Sequence, residues 1–526
     1  MTELLFALEG NRERGPVTVN VITGSSAGAL NGAMAARCLL VNRHLAPWIE
    51  RAWVHAADAE VLLDPQRADR AGWLDVSALD ELTSALVTGD PASDDETSRA
   101  AGKTLQVGFT LASLSGIAYD LPHAFVNDPT RRFGTRIYAD TIDFELSGRT
   151  RAGDPVWERI RQAAVASASF PFAFPPARLA RDRADYPGAV LPPNGGNPID
   201  LWYVDGGLFD NAPLGLARRL VERDPAHREG DWRYVMVEPA LESTGSSAPY
   251  LRPPPSSLVS LAGTLAGAVL GQGAARDWRR ANKINERVEI LLALVDRMPE
   301  ISERLGDPDA VALGRLIGDL AERVAEREVA LSESGSAESG DPVVEHLDRS
   351  LERIETDPRY RPILDRVSSR AGRARLAKLV FVLESACGLR GKEVLPLYLV
   401  APERGARLAG SFMGNFGGFF SRDWRANDYR AGRRDARHLL ESALADVVSY
   451  EPAESEAYEV EPLEPCFDAI PLASRARLEK LAVAETDRLL GELRPGPVAS
   501  LLGWIWKPVV RRWAAERALN ALRDMR

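Results

Sequence analysis

The chain has 526 residues, 45% of them hydrophobic and 27% charged, an ordinary balance for a soluble globular protein with room for two or three cores. Its formal net charge of −10 argues against a general nucleic-acid role. Three widely spaced cysteines, Cys38, Cys387 and Cys466, offer neither a disulfide framework nor zinc-ligand spacing and fit a reducing compartment.

In chain order, Thr2 to Glu9 reads as the end of a helix, without the basic and apolar stretches of a signal peptide, and Asn11 to Pro16 as a turn. Val19 to Thr23 is an apolar, β-branched run that ends abruptly in Gly24-Ser25-Ser26-Ala27-Gly28, and strong helix formers follow from Ala29. Strand, tight turn and helix form the context of a nucleophile elbow. A serine hydroxyl attacks well when it projects from such a turn beside a base, with backbone N–H groups nearby for an oxyanion. Gly24 and Gly28 leave room for strained dihedrals and close packing, and the helix N-terminus adds partial positive charge. Ser26 is the candidate nucleophile.

Trp48 to Leu63 and Val76 to Thr88 carry helical apolar spacing, and Asp90 to Thr97 is an acidic loop. Leu105 to Leu111 and Arg136 to Phe144 read as strands, and Trp157 to Ala168 as a helix. Arg181 to Pro198 reads as a surface loop rich in Pro, Gly and charge. A short apolar strand, Leu201 to Val204, delivers Asp205 at its end, and Gly206 and Gly207 let the backbone turn tightly behind it. Asp210 reads as a helix-entry or turn residue. A helix over Leu214 to Val221 and a buried-type strand over Arg233 to Pro239 complete an alternation that predicts a three-layer α/β domain with a mainly parallel sheet.

Glu242 to Ser257 is rich in Ser, Pro and Gly and marks a boundary, giving domains 1–245 and 246–526. The second is expected to be mainly helical, with helices in Arg276 to Leu294, Val311 to Leu331, Val343 to Ile354 and Ala374 to Ser385, and a flexible loop at 332–341. Its apolar stretch Leu258 to Leu270 is too short to span a bilayer and reads as a buried helix, a lid or an interfacial segment, the packed helix being preferred. Leu395 to Pro402 reads as a further strand that extends the sheet. The aromatic and glycine-rich run Gly410 to Phe420 either lines an acyl-chain groove or packs the domains together, and the second reading is preferred. In the tail, Trp504, Trp506 and Trp513 mix with Lys507, Arg511 and Arg512. That pattern suits a peripheral helix on a membrane surface or a helix docked on the core. A cytoplasmic location is expected, with the membrane surface reached only through that tail.

Gly24-Ser25-Ser26-Ala27-Gly28 resembles the Gly-Thr-Ser-Ala-Gly elbow of the patatin-like phospholipases. Asp205-Gly206-Gly207 resembles their Asp-Gly-Gly/Ala motif, and Ala166 to Pro176, between the two, resembles their Ala/Ser-rich helix end running into Phe and Pro. Phe-Gly-Gly-Phe at 416–419 and Arg425-Ala426-Asn427-Asp428-Tyr429 are similar to a pattern in long bacterial patatin-related proteins. The resemblance implies a lipid acyl hydrolase in which Ser26 is the nucleophile and Asp205 its general base, with a lipid or other ester as substrate and no metal or organic cofactor. A carboxylate serves as such a base only if burial raises its pKa and geometry brings it within reach. The alternative for Asp205 is a turn aspartate bonded to its own backbone.

The family's first strand and Gly-Gly-Gly-x-Arg/Lys-Gly oxyanion loop find no counterpart in the 25 residues before Ser26, where Gly10 and Gly15 are the glycines. The oxyanion donors are therefore unassigned, and each lost donor costs about 10²–10³ in rate. Either the true start lies upstream, or the chain is a catalytically weak or inactive lipid- or partner-binding relative. A third reading, a Ser-His-Asp hydrolase, has His227 in the right order after Asp205, but Arg223 to Glu229 reads as a solvated turn.

Overall fold

The computed structural model describes residues 1–11, 17–41, 46–58, 62, 83–84, 97–122, 132–171, 173–191, 196–223, 231–239, 279–300, 307–331, 341–390, 392, 394–402, 408–412, 416–450, 460–463 and 465–492. The chain forms two compact units, one of Met1–Asp277 with Leu397–Arg526 and one of Trp278–Pro396. The expected boundary at 245/246 and most of the expected loop at 332–341 fall outside the described residues. Residues beyond 396 rejoin the N-terminal unit instead of forming one body with the helices before them.

The first unit contains α1 (Thr2–Gly10), β1 (Val19–Gly24), α2 (Ala27–Leu40), α3 (Ala46–Glu50, continued by a π-type turn through Ala56), β2 (Ala101–Pro122), β3 (Arg132–Ser147), α4 (Val156–Ser167), β4 (Ala177–Arg181), β5 (Ile199–Asp205), α5 (Leu214–Arg223) and β6 (Tyr234–Val237). β2 is the long central strand. One of its edges pairs with β3, antiparallel from Thr104↔Ser147 to Pro122↔Arg132. Along the other edge lie β1, parallel and ending at Gly24↔Phe109, and then β5, antiparallel and ending at Leu111↔Asp205. β4 pairs antiparallel with β5.

The α/β architecture of the domain thus holds, with a mixed sheet in place of the mainly parallel one. Strand-helix alternation suggested crossovers. Among the described residues, however, no α-helix stands between β2 and β3 or between β4 and β5, and antiparallel neighbours need no crossover helix.

Side-chain alternation along β2 sets the layers. Val107 and Phe109 join the main core, shared with α2 and α4. Gly108 faces the other way, against Leu216 and Leu220 of α5. α2 approaches the sheet closely because its buried side is largely alanine and glycine: a Cβ at Gly32 would lie 3.1 Å from Ile22 Cγ2. Arg37 is buried in this layer with its guanidinium over the Trp157 ring (4.8 Å) and Nη1 donating to Ala152 O (3.0 Å), so its charge keeps partners despite burial.

The second unit is helical, with α6 (279–300), α7 (Asp307–Leu331), α8 (Pro342–Thr356) and α9 (Arg370–Ala386) around one core. Asp341 caps α8 through the Val343 N–H, as a preceding Asp should. Returning to the first unit, β7 (Leu397–Val400) pairs parallel with β6 in a two-stranded sheet of its own. It does not extend the five-stranded sheet. α10 (Arg422–Glu441) then packs on α1, where Arg433 Nε and Glu3 Oε2 lie 2.8 Å apart and Tyr450 donates to the same carboxylate. α11 (Leu472–Glu492) follows.

Gly24 and Gly206, beside the strand ends, sit where backbones nearly touch. A Cβ on Gly24 would lie 2.3 Å from Gly28 O, and one on Gly206 would lie 2.2 Å from Thr110 O, whereas nothing lies within 4 Å of one on Gly28. We expect Gly24→Ala and Gly206→Ala each to cost roughly 1–3 kcal/mol, and Gly28→Ala to stay within about 0.5 kcal/mol of the parent, in urea unfolding. Equal losses from all three would contradict this packing.

Candidate active site

Ser26 sits between β1 and α2 with φ 55° and ψ −130°. This is a left-handed conformation that costs a non-glycine residue on the order of 1–3 kcal/mol. The strained position in the elbow is therefore the serine itself. The flanking glycines keep φ values open to any residue, and of the two only Gly24 is held by close contact. The Ser26 N–H donates to Ser167 Oγ (3.1 Å) at the end of α4, and Ser26 Oγ donates to Asp205 Oδ2 (2.5 Å). The hydroxyl is half-buried, and Ala27 and Gly28 beside it are exposed, so the elbow opens to solvent at the start of α2.

Asp205 is buried at the end of β5. Its Oδ1 accepts from the Gly207 N–H (2.7 Å), and its own N–H donates to Ser169 O (2.9 Å). One oxygen thus makes the turn bond expected of an aspartate before glycine, while the other points at Ser26. Burial pushes its carboxyl up to about 6, against the downward pull of the hydrogen bonds from Ser26 and Gly207. That leaves it ionised at neutral pH yet basic enough to share a proton with a hydroxyl.

Ser26, Asp205, Gly24, Gly206 and Gly207 therefore come together, and Gly28 contributes the first turn of α2. Among the amides there, Gly28 N–H donates to Ser25 O (2.8 Å) and Ala29 N–H to Ser26 O (2.9 Å). Asp210 serves as a turn residue, its N–H on Gly206 O (3.1 Å) and its carbonyl accepting from Thr110 Oγ1 (3.0 Å). His227 lies outside the described residues, as do the stretch 258–270 and the tail 500–526.

Sequence reasoning did not assign roles to Ser167, Ser169 and Thr110. Ser167 and Ser169 lie in the Ala166–Pro176 stretch already singled out, so that motif's serines could have been read as supports for the pair. The aromatic run pairs with the same stretch: Phe416 meets Phe170 edge-on at 5.2 Å between ring centroids and Phe419 at 5.8 Å, both partly buried against the main core. These rings pack parts of the first unit together. The Arg-x-Asn-Asp-Tyr residues do the same. Arg425 donates to Val54 O (3.0 Å), Gly418 O (3.1 Å) and Asp58 Oδ2 (2.9 Å), while Asn427 exchanges hydrogen bonds with the Glu461 backbone (3.0 and 2.9 Å). Asp428 accepts from the amides of Ala409 (2.9 Å) and Gly410 (2.6 Å), and Tyr429 donates to Thr2 Oγ1 (3.2 Å).

Comparison with known proteins bears on both regions. Residues 4–218 match the family model described as patatin-like phospholipase, and residues 399–455 match one described as a protein of unknown function, DUF3376. The uncharacterized membrane protein Rv3479 of Mycobacterium tuberculosis is 26% identical over 335 residues, which cover 59% of this chain and 30% of that protein. The chain thus spans under a third of that relative's length in the match. Among the described residues here, no helix is long and apolar enough to cross a membrane. No solved structure matches. Residues 4–218, the part similar to the patatin-like phospholipase model, hold both Ser26 and Asp205.

Proposed function

We propose that this chain is a serine lipid acyl hydrolase that works through a Ser26–Asp205 pair and an acyl-enzyme, with no metal or organic cofactor. The observation that carries the reading is the 2.5 Å hydrogen bond from Ser26 Oγ to Asp205 Oδ2 at the tip of a strand-turn-helix elbow. Ser26 Oγ attacks the ester carbonyl carbon as its proton passes to Asp205 Oδ2, and the carbonyl electrons move onto oxygen. The oxyanion collapses, the C–O bond to the alcohol breaks, and the proton on Asp205 leaves with the alcohol. Asp205 then takes a proton from water as the hydroxide attacks the acyl-enzyme, and its return to Ser26 frees the fatty acid.

The Ala27 amide, at the exposed first turn of α2, has the position of an oxyanion donor on the residue after the nucleophile. The substrate class follows the family, an ester of phospholipid or neutral lipid. The competing reading is a patatin-like chain that binds lipid or a partner and hydrolyses little.

Fatty-acid release from phospholipid vesicles decides between them. We expect Ser26→Ala and Asp205→Asn each to lower release by more than about 10³-fold while leaving the fold intact. A folded parent that binds vesicles without releasing fatty acid would favour the binding reading.

Activity should rise with pH through about 6 and level off above it, because Asp205 acts as its carboxylate and titrates near that value. Stability moves the opposite way. The folded state holds the Asp205 proton more tightly than the unfolded chain, whose carboxyl titrates near 3.8, so folding weakens as pH climbs from about 4 to 6. Asp205→Asn should therefore be more stable than the parent at pH 7.5, by up to about 3 kcal/mol, with the gap closing near pH 4. Thermal unfolding at both pH values checks this, and a variant less stable at pH 7.5 would contradict the burial argument.

A further inference from the structure

α4 ends in a buried run, Ala163, Ala164, Val165, Ala166 and Ser167. A hydroxyl in such apolar company costs stability unless it is bonded, and a serine in or beside a helix commonly bonds the carbonyl four residues back. Ser169, in the turn that follows, takes that option with Val165 O (2.9 Å). Ser167 reaches across to the elbow instead. Its Oγ accepts from the N–H of Ser26, 141 positions earlier in the chain (3.1 Å).

That bond helps to fix both peptide groups that flank the Ser26 Cα. The Ser25–Ser26 peptide is held at its carbonyl by the Gly28 N–H (2.8 Å) and at its own N–H by Ser167. The Ser26–Ala27 peptide is held at its carbonyl by the Ala29 N–H (2.9 Å). Peptide groups are planar, so their relative orientation is the pair of dihedrals at Ser26, φ 55° and ψ −130°. Such a conformation persists only where its surroundings over-determine it. Gly28 and Ala29 belong to α2 itself. Among the described residues, Ser167 therefore supplies the one hydrogen bond that ties the Ser26 backbone to another element. The same turn holds the other member of the pair, since Ser169 O accepts from the Asp205 N–H (2.9 Å).

We propose that Ser167 is a positioning residue for the nucleophile. By binding the Ser26 amide it keeps the strained elbow in the form that sets Ser26 Oγ on Asp205 Oδ2, and it leaves the oxyanion to the Ala27 amide. The proposal rests on the reading of Ser26 as the nucleophile and adds what holds it. Ser167 is fully buried, so it acts through Ser26 and not on the ester. Without its oxygen the Ser26 amide loses its partner, and relaxation of the strained dihedrals carries Oγ away from the carboxylate. A misplacement of about 1 Å at a reacting group can cost about 10²-fold in rate.

The test uses the full chain and p-nitrophenyl butyrate, a soluble ester that keeps lipid partition out of the measurement. Ser167→Ala should lower kcat and kcat/KM together by about 10–100-fold and leave KM within about twofold. Its acid limb should move above the parent's, because Asp205 loses a hydrogen bond that stabilises its carboxylate. Ser167→Cys keeps the shape but accepts only weakly; it should fall between the two, and it serves if the alanine variant fails to fold. Ser350→Ala removes a buried hydroxyl of α8 that donates to His346 O (2.6 Å) and should leave kcat unchanged. In deuterium exchange, which needs no activity, the Ser26 amide should exchange at least about tenfold faster in Ser167→Ala. An unchanged kcat, a loss carried by KM, an acid limb left in place, an equal loss in Ser350→Ala, or unchanged exchange would each overturn the proposal. If the parent turns over no ester, the catalytic reading fails, and exchange still decides whether Ser167 holds the elbow.

Discussion

The contact between Ser26 and Asp205 exists because two strands meet end to end along one edge of β2. β1 runs one way and stops at Phe109; β5 runs the other way and stops at Leu111. Only Thr110 separates the two registers, and it is held by the Asp210 carbonyl through its hydroxyl and by the close approach of Gly206 through its backbone. A serine hydroxyl carried off the end of one strand and a carboxylate carried off the end of the other are thus delivered to one point. Residues 179 positions apart come within 2.5 Å. A slip of one residue in the β2–β5 pairing would turn Asp205 to the opposite face of the sheet.

Two carboxylates near the end of β5 have different characters. Asp140, on β3, accepts from Tyr203 (2.7 Å) and Tyr186 (2.8 Å) and pairs with Arg181 (3.2 Å), a network that satisfies its charge. Arg181, Tyr186 and Tyr203 are themselves buried, so the network locks β3, β4 and β5 together. Two residues farther along β5, the Asp205 carboxylate has one hydroxyl and one amide as partners, and among the described residues no cation pairs with it. The first carboxylate is structural. The second is left basic, at a cost in folding free energy that the surrounding sheet absorbs.

Much of this was legible in the residues. The elbow and the Asp-Gly-Gly turn stand out because glycine punctuates apolar runs at the points where the backbone must turn. Sheet direction did not, since a strand's pattern reports which residues are buried and says nothing of its neighbours. β2 was read as Leu105 to Leu111 because Ser113, Ser115 and Gly116 break the alternation where the strand bends. Gly24 and Gly28 looked equivalent, yet only the contacts of Gly24 forbid a side chain. The Arg-x-Asn-Asp-Tyr residues were beyond reach: Arg425 reads as an exposed helix arginine until Val54, 371 positions away, is placed beside it. Those bonds also account for why residues after 396 belong with the N-terminal unit.

The central claim is that Ser26 forms a covalent acyl intermediate assisted by Asp205. Its most direct measurement is intact-protein and peptide mass spectrometry after brief mixing with a slowly hydrolysed lipid ester and acid quench. The account predicts one added acyl group, on Ser26, absent from Ser26→Ala and formed far more slowly in Asp205→Asn. Fatty acid released by Ser26→Ala at the parent's rate, or an acyl group carried on another residue, would contradict it.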